Sequence, residues 1–206
     1  HFFNIIINMS KINKTNILKR KKKLEKSSNK FEKFINRITS RNTNVLIIIL
    51  ITGFIVYGNV LKGPMFFDDE HFIQKNKHVH DFNIEKIYTK SVTEGANMPS
   101  NFYRPNQQMV FSIIYQFAGE NSLPYHLTSI ILHIFNAFII FLLASNLKFS
   151  KTGGIIAGIF FLLHPIQTEA VSYISGLADP LSVFFLLSGL YFLIKSNKNT
   201  NNKLEL

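Results

Sequence analysis

The sequence of 206 residues has no cysteine and no tryptophan, and its acidic residues number only 12 against 23 lysines and arginines. Without cysteine, the chain has neither a disulfide framework nor a thiolate zinc site. The charged fraction of 17% is below the quarter that is usual in soluble domains. Together with 21 phenylalanines and a mean hydropathy of +0.14, this composition indicates a membrane protein. The sequence also lacks a P-loop, a dinucleotide-binding glycine motif, GxSxG and HExxH.

Four apolar runs predict an all-α polytopic membrane protein with about four transmembrane helices. A helix needs about 20 apolar residues to cross the hydrocarbon core, so the last two runs need flanking residues, tilt or a thinned bilayer. The predicted order is a basic cytoplasmic tail (1–44), a span (45–61), a first external loop (62–122), a span (123–147), a cytoplasmic loop (148–152), a span (153–166), an external loop (167–179), a span (180–195) and a cytoplasmic tail (196–206).

The basic residues set the predicted orientation. Residues 9–44 hold twelve lysines and arginines, and short basic segments favour the cytoplasmic side. The run KRKKK at 19–23 is therefore expected to contact anionic lipid, and no nucleic-acid partner is expected. The sequence predicts an integral membrane protein with a cytoplasmic amino terminus and an extracytoplasmic active face. This would be the plasma membrane of a prokaryote or the endoplasmic reticulum of a eukaryote.

The ends of the sequence suggest an open-ended fragment or a truncated reading frame. The chain begins with His1, Met9 is a plausible start, and the last residues follow closely on an apolar segment. An uncleaved signal anchor is expected at 45–61, because no small-residue cleavage site follows that run.

The first external loop opens with three consecutive acids, Asp68, Asp69 and Glu70, within GPMFFDDEHF. Adjacent carboxylates repel one another and are costly near hydrocarbon, so their position seven residues after the first span indicates an interfacial site. Two short juxtamembrane helices are predicted in this loop, at 80–92 and at 106–118. Pro105 suits the first position of the second helix.

Polar side chains form a stripe on the second predicted span. His126, Ser129, His133 and Asn136 follow steps of three, four and three, which places them on one helical face. Such a stripe must face protein or a wet cavity, either as interhelical hydrogen bonds or as part of a functional cleft. In the next run, Gly154 and Gly158 have the spacing of closely packed helices.

A second polar cluster follows the third run, in HPIQTEAVSYISGLADP. His164 and Pro165 end the helix, Glu169 follows, and Asp179 precedes the next span. The predicted topology places this cluster at the same membrane level as Asp68. The two clusters are therefore expected to meet in one pocket at the outer leaflet.

Several strings resemble the amino-terminal membrane half of GT-C-fold glycosyltransferases. They are FDDEHF, YRP at 103–105, HLTSIILHIFNA at 126–137 and HPIQTEAVSYISGLAD at 164–179, and the resemblance covers about residues 45–195. The nearest relatives look like the transmembrane and tetratricopeptide-repeat O-mannosyltransferases and their prokaryotic homologues. The resemblance implies a partial GT-C fold and an inverting transfer of a sugar, mannose in these relatives, from a polyprenyl-phosphate donor. The acceptor would be a protein hydroxyl or a glycan.

The resemblance also suggests roles for individual residues. An inverting transfer needs a carboxylate to take the proton of the acceptor hydroxyl. Asp68 is the first candidate, since it matches the family's catalytic position more closely, and Asp69 is the second. Developing negative charge on the lipid phosphate calls for cationic or hydrogen-bond donors. The candidate phosphate ligands are Arg104, His164 and His133, and the supporting residues are Glu70, Glu169, Asp179, His126 and Asn136.

Alternative interpretations remain at several of these positions. Arg104 also suits an interfacial arginine that extends towards lipid headgroups. A divalent metal is possible but not favoured, because His71, His78, His80 and Asp81 lack a recognisable ligand spacing.

Leu177 stands where relatives often have arginine in a GRAD string. The competing function is therefore a non-catalytic membrane protein, or a remnant that binds a lipid carrier.

Overall fold

The computed structural model describes residues 39–98 and 100–204, with side chains through 197, and also positions 20, 21, 30, 33, 34 and 37. The chain divides into two compact units, residues 1–44 and residues 45–206. The predicted basic tail lies largely outside the described residues. The fold and the site described below belong to the second unit.

The secondary structure of the described residues is entirely helical, which confirms the predicted fold class. The α-helices are α1 (Asn42–Tyr57), α2 (Lys77–His80), α3 (Ile84–Thr89), α4 (Pro105–Ala118), α5 (Ser122–Asn146), α6 (Lys151–Leu163), α7 (Gln167–Ser172) and α8 (Ala178–Leu204). Short 3₁₀ turns cover Gly58–Lys62, Glu94–Ala96 and Ile174–Leu177, and a π turn covers Glu70–Gln74.

Three helical segments of the described chain are long and apolar enough to cross a membrane. They are Asn42–Lys62, Ser122–Asn146 and Ile174–Asn197. Helix α6 has 13 residues and is therefore about 20 Å long, which is shorter than a hydrocarbon core of about 30 Å. The sequence prediction of about four spans was thus imprecise, because the run predicted at 153–166 forms a shorter helix.

Proline ends α6 early. His164 precedes Pro165 and has the extended conformation, with φ −65° and ψ 126°, that a residue before proline prefers. The carbonyl oxygen of Leu162 is therefore free of a helical partner, and it lies 3.1 Å from Tyr57 Oη and 3.2 Å from His133 Nε2. Side chains of α1 and α5 thus complete the carboxyl end of α6.

Helices α5 and α6 pack closely through the predicted glycine pair. A Cβ atom at Gly158 would lie 2.7 Å from the Ala137 carbonyl oxygen, and one at Gly154 would lie 3.3 Å from Phe141. These glycines therefore let the two backbones approach, as the sequence predicted. Around this contact lies a core formed by Val45, Ile49, Tyr57, Ile130, Ile134, Ala137, Phe141, Leu162 and Val171.

A second core lies beneath the first loop. It consists of Phe72, Ile73, Val79, Val92, Phe111, Tyr125, Ile174 and Leu177. Helix α4 contributes to it and starts at Pro105, as predicted. The resemblance suggests arginine at the position of Leu177, yet this side chain is fully buried. It therefore supplies packing and no phosphate ligand.

The helix predicted around 80–92 is present but shorter, because α3 covers only Ile84–Thr89. Phe82 has a φ of +49°, which a continuous right-handed helix does not accommodate. Asn83 then caps the new helix α3, since its side chain accepts a hydrogen bond from the Lys86 N–H at 3.1 Å.

Candidate functional site

Asp69 is a buried carboxylate that joins the first loop to the segment after α7. Its Oδ1 accepts hydrogen bonds from the N–H of Ser175, at 2.9 Å, and from the Ser175 hydroxyl. Its Oδ2 accepts from the Phe66 N–H at 3.0 Å. Burial raises the pKa of the Asp69 carboxyl, although the hydrogen bonds from Ser175 and Phe66 oppose that shift. This geometry is that of an anchoring group between two loops.

Asp68 has the opposite environment. It is exposed, and its backbone N–H donates to the Tyr173 hydroxyl at 2.9 Å. The preceding Phe67 has a φ of +53° and is 81% exposed, so the chain turns sharply before the two acids. Burial raises the pKa of the Tyr173 phenol, and the hydrogen bond from the Asp68 N–H opposes that shift.

Asp68 lines two cavities. The first, called the apolar cavity, has a volume of about 690 Å³, within the range of small-molecule sites. Its walls are mostly apolar and come from the 3₁₀ turn after α1, the loop before Asp68, α5, α7 and the residue that follows α7. The lining residues are Val60, Gly63, Pro64, Phe66, Phe67, Asp68, His126, Thr168, Glu169, Ser172 and Tyr173.

The second, called the loop cavity, has a volume of about 480 Å³. It lies within the first loop and carries more polar groups. Its described lining residues are Asp68, His71, Phe72, Thr93, Met98, Ser100, Asn101 and Phe102. Asp68 thus lines both a mostly apolar cavity and a more polar one.

His126 and Glu169 also line the apolar cavity, so of the second predicted cluster only Glu169 meets Asp68 there. His126 is 1% exposed, and its Nε2 lies 3.2 Å from the Gly63 carbonyl oxygen. Only a protonated Nε2 can donate to a carbonyl, so in the neutral ring Nδ1 carries the lone pair. This Nδ1 is buried and has no hydrogen-bond partner among the described residues.

Arg104 lies in a third cavity, with a volume of about 190 Å³. This cavity is between the start of α4 and the start of α8, and Asp68 does not line it. The guanidinium lies 5.3 Å from the centre of the Phe102 ring, which is the distance of a cation–π contact. The role of Arg104 as a donor-phosphate ligand therefore stays a prediction.

Two residues of the polar stripe serve helix packing. His133 is 1% exposed and contacts the end of α6, as described above. Asn136 is fully buried and donates to the Pro180 carbonyl oxygen at 2.8 Å, which fixes the start of α8 on α5. The stripe thus faces protein along its length and reaches a cavity at His126.

Three further predicted residues do not line the cavities of Asp68. His164 Nδ1 accepts a hydrogen bond from the Ile166 N–H at 3.3 Å, and its ring contacts Phe160. Glu70 forms an ion pair with Lys75, and this contact lowers the pKa of the Glu70 carboxyl. Asp179 is exposed in the first turn of α8.

The described residues contain no group of three or more potential ligands placed to hold a metal ion. In the loop where the sequence allowed such a group, His80 stacks on Tyr115 at 4.0 Å and contacts the Ile73 carbonyl oxygen. His78 lies separately, in the interior of the loop.

Sequence reasoning missed Tyr173, Ser175 and Gln107. Tyr173 and Ser175 hold the two acids, and both lie within the string that carried the family resemblance. Gln107 is 1% exposed and donates to the Ser175 carbonyl oxygen at 2.7 Å. A glutamine on a mostly apolar helix was the available signal, because a buried amide needs a partner.

Comparison with known proteins places this site in a family context. Human "Protein O-mannosyl-transferase TMTC3" is 30% identical over 167 residues, which are 78% of this chain and 18% of that protein. The Xenopus laevis protein "Protein O-mannosyl-transferase tmtc2" is 34% identical over 149 residues, 68% of this chain and 18% of that protein. This chain is a relative of the protein O-mannosyl-transferases. The resemblance proposed from its motifs is confirmed.

A third protein O-mannosyl-transferase, Tmtc1 of Drosophila melanogaster, is 32% identical over 152 residues, 68% of this chain and 17% of that protein. The chain therefore spans less than a fifth of the length of these relatives. No family model matches the chain, and no solved structure matches it.

Proposed function

We propose that the protein is an inverting mannosyltransferase that uses a polyprenyl-phosphate mannose donor and a protein hydroxyl acceptor on the extracytoplasmic face. The single observation that carries this proposal is the position of Asp68 between the apolar cavity and the loop cavity. The names of its relatives supply the sugar and the class of acceptor.

The proposed chemistry is a direct displacement at the anomeric carbon. The acceptor oxygen forms a bond to this carbon, and the bond between the carbon and the phosphate oxygen breaks. The leaving lipid phosphate keeps the electron pair, and the hydroxyl proton passes to Asp68 as general base. Asp68 suits this role because it is exposed and its backbone is held by Tyr173.

The apolar cavity suits the lipid end of the donor. Phe66 and Tyr173 pack at a ring distance of 5.0 Å and line this cavity together with Asp68. A polyprenyl chain needs such an apolar surface beside a polar headgroup site. His126 lines the same cavity and would be a neighbour of the bound donor.

A lipid-carrier binding protein without transferase activity is the second candidate. The buried Leu177 favours it, because relatives often carry a possible phosphate anchor at this position. Both candidates require donor binding in the apolar cavity, and only the first requires proton transfer to Asp68.

The test is Asp68→Asn in the intact protein in membrane nanodiscs. We expect at least a hundredfold loss of mannose transfer, the lower range for a general base, with donor binding retained. The control is Asp81→Asn, because Asp81 is an exposed acid of the same loop outside both cavities. Transfer at the wild-type rate by Asp68→Asn would remove the proposed base. Donor binding without transfer by the wild-type protein would favour the lipid-carrier function.

A further inference from the structure

Phe67 combines a strained backbone with a side chain that the protein hardly covers. Its φ of +53° lies in the left-handed region, which is costly for a bulky residue and which glycine or asparagine adopts more easily. The residue is 81% exposed, so packing among the described residues does little to offset this cost. Strained residues of this kind are concentrated at functional sites, where a ligand or a reaction requires them.

The other described residues with positive φ do not share this combination. Asn97 and Gly119 are residue types that tolerate the left-handed region, and Lys148 carries a charged side chain. Phe82 is the most similar, with a φ of +49°, but it is only 37% exposed, so protein covers most of its surface. Phe67 therefore differs from these residues in having an aromatic ring that is left mostly unpacked.

The turn at Phe67 uses the backbone and not the phenyl group. The Glu70 N–H donates to the Phe67 carbonyl oxygen, and the Asp69 N–H donates to the Phe66 carbonyl oxygen, both at 3.2 Å. The Phe66 N–H donates to Asp69 Oδ2. Asparagine or glycine at position 67 would allow the same hydrogen bonds with less strain. The turn therefore does not explain the phenyl group.

The position of the ring indicates which ligand it suits. Phe67 lines the apolar cavity directly before Asp68 in the sequence. Its ring lies 5.5 Å from the Phe66 ring, which lies 5.0 Å from the Tyr173 ring. Three aromatic side chains in successive contact thus line this cavity together with Asp68. An apolar ligand that covers the Phe67 ring gains free energy by removing apolar surface from water.

We propose that Phe67 binds the isoprenoid chain of the lipid donor, at the units next to the phosphate. The inference rests on the proposed function, which places the reacting sugar at Asp68 and the polyprenyl chain in the apolar cavity. Consecutive Cα atoms are only about 3.8 Å apart, so a residue adjacent to Asp68 contacts the part of the lipid nearest to the sugar phosphate. Isoprene units are apolar and suit an exposed phenyl ring, whereas mannose and phosphate are polar.

The first test measures binding of a fluorescent polyprenyl-phosphate mannose analogue to the intact protein in nanodiscs. Phe67→Asn removes the ring and suits the turn, whereas Phe67→Leu retains an apolar side chain. We expect about tenfold weaker binding for Phe67→Asn, and binding within about threefold of the wild type for Phe67→Leu.

The matched control for this test is Phe82→Asn. Phe82 also has a positive φ but lines neither the apolar cavity nor the loop cavity, so its replacement should leave donor binding unchanged. Equal donor binding by the wild type and Phe67→Asn, as expected for a ring that contacts only the bilayer, would overturn the inference.

Thermal unfolding of the Phe67 variants separates ligand binding from packing. Phe67→Asn should unfold at the wild-type temperature or above it, because asparagine tolerates the left-handed region and little packing is lost. Weaker donor binding with undiminished stability is the result expected for a side chain that serves the ligand. A clearly lower unfolding temperature would show that the ring supports the fold, and it would refute the inference.

Competition by fragments of the donor identifies the part that Phe67 contacts. Polyprenyl phosphate without mannose should lose affinity for Phe67→Asn by the same factor as the complete donor. Mannose 1-phosphate, which has no isoprenoid chain, should compete equally in the wild type and in Phe67→Asn. A loss confined to ligands that carry mannose would place the ring against the sugar and refute the isoprenoid contact.

Photolabelling leaves the protein unchanged, so misfolding of a variant cannot affect it. A diazirine on the isoprene unit next to the phosphate is activated in the wild-type complex, and mass spectrometry locates the label. We expect the label on Phe67 or the neighbouring Phe66. Labelling only elsewhere, or no binding of the donor analogue, would refute the contact.

These outcomes separate the inference from the proposed function. If donor binding depends on Phe67 but no mannose is transferred, the transferase proposal fails and the isoprenoid contact stands. If mannose is transferred and Phe67→Asn has wild-type affinity for the donor, the isoprenoid contact fails and the transferase proposal stands.

Discussion

Asp68 and Asp69 are neighbours in the chain and have opposite surroundings. Asp69 is fully buried and accepts hydrogen bonds from Ser175 and Phe66, whereas Asp68 is exposed at two cavities. A carboxylate enclosed by protein donors stabilises a loop, and one that faces open space is available to substrate. Asp69 therefore has a structural role, and Asp68 is the acid with the proposed chemical role.

Replacing Asp69 by Asn is expected to lower the free energy of unfolding by about 1–3 kcal/mol, because an amide nitrogen would face a backbone donor. The raised pKa of Asp69 means that the folded state holds its proton more tightly than the unfolded state does. The bound proton stabilises the fold fully below the pKa that Asp69 has in the unfolded state, near 3.9. This stabilisation is lost as the pH rises through the higher pKa that Asp69 has in the folded state.

The stability of the wild type relative to Asp69→Asn should therefore fall as the pH rises above about 4. Thermal unfolding of both proteins in detergent across this range measures the difference. The exposed Asp81→Asn variant serves as the control and should change stability by no more than about 0.5 kcal/mol. If the stability of the wild type relative to Asp69→Asn rose with pH, the assigned environment of Asp69 would be contradicted.

The sequence could indicate an acidic interfacial site. Its local pattern could not show which of the two acids is buried and which is exposed. Burial of Asp69 depends on Ser175, which is 106 positions away, and on the positive φ of Phe67. Neither feature has a local signature, because phenylalanine rarely adopts that conformation. Tyr173 and Ser175 were missed for the same reason.

At the scale of elements, α5 and α6 approach each other closely at Gly158. Gly158→Ala would place a Cβ atom 2.7 Å from the Ala137 carbonyl oxygen, a distance that forces the helices apart. We expect a loss of about 1–3 kcal/mol in the free energy of unfolding. Gly189→Ala is the matched control, because nothing lies within 4 Å of its added Cβ. Thermal unfolding of both variants measures the contrast, and equal stabilities would contradict the packing.

The end of α6 provides a test of His133. His133→Phe removes the hydrogen bond to the Leu162 carbonyl and should reduce the free energy of unfolding by about 1 kcal/mol. Donor binding should not change, because His133 does not line the apolar cavity. Binding of a polyprenyl-phosphate analogue, measured beside thermal unfolding, distinguishes the roles. Intact stability with lost binding would restore His133 as a phosphate ligand.

Helices with strong local signals were predicted well. Pro105 marked the start of α4, and the long apolar run over 123–147 corresponds to α5 within one residue at each end. The helix predicted around 80–92 starts later than expected because Phe82 has a positive φ, and no glycine marks this break in the sequence. Asn83 is a residue type that often caps the start of a helix, and it does so for α3. Hydrophobic periodicity alone does not include this information.

At the scale of the molecule, orientation across the membrane remains a prediction from basic residues. The 206 residues contain no cysteine, so a thiol introduced among them has no competing thiol within this stretch. Glu85→Cys, in the first loop, should react with a membrane-impermeant reagent from the extracytoplasmic side. Phe149→Cys, between α5 and α6, should react from the cytoplasmic side. Labelling of both positions from one side would contradict the predicted topology.

The sequence foresaw a meeting between the first loop and the segment after α6, and the structure brings Asp68, Glu169 and His126 to one cavity. It could not foresee that Arg104 lies in a different cavity or that His164 lines neither cavity of Asp68. Their placement depends on how α4 and α6 pack, and spacing along the chain does not determine such packing.

The most direct measurement is an electron cryo-microscopy structure of the intact protein with a non-hydrolysable polyprenyl-phosphate mannose analogue. The expected result places the lipid in the cavity lined by Phe66, His126 and Tyr173, with the sugar beside the Asp68 carboxylate. A donor bound at Arg104, with its sugar away from Asp68, would contradict the proposed site.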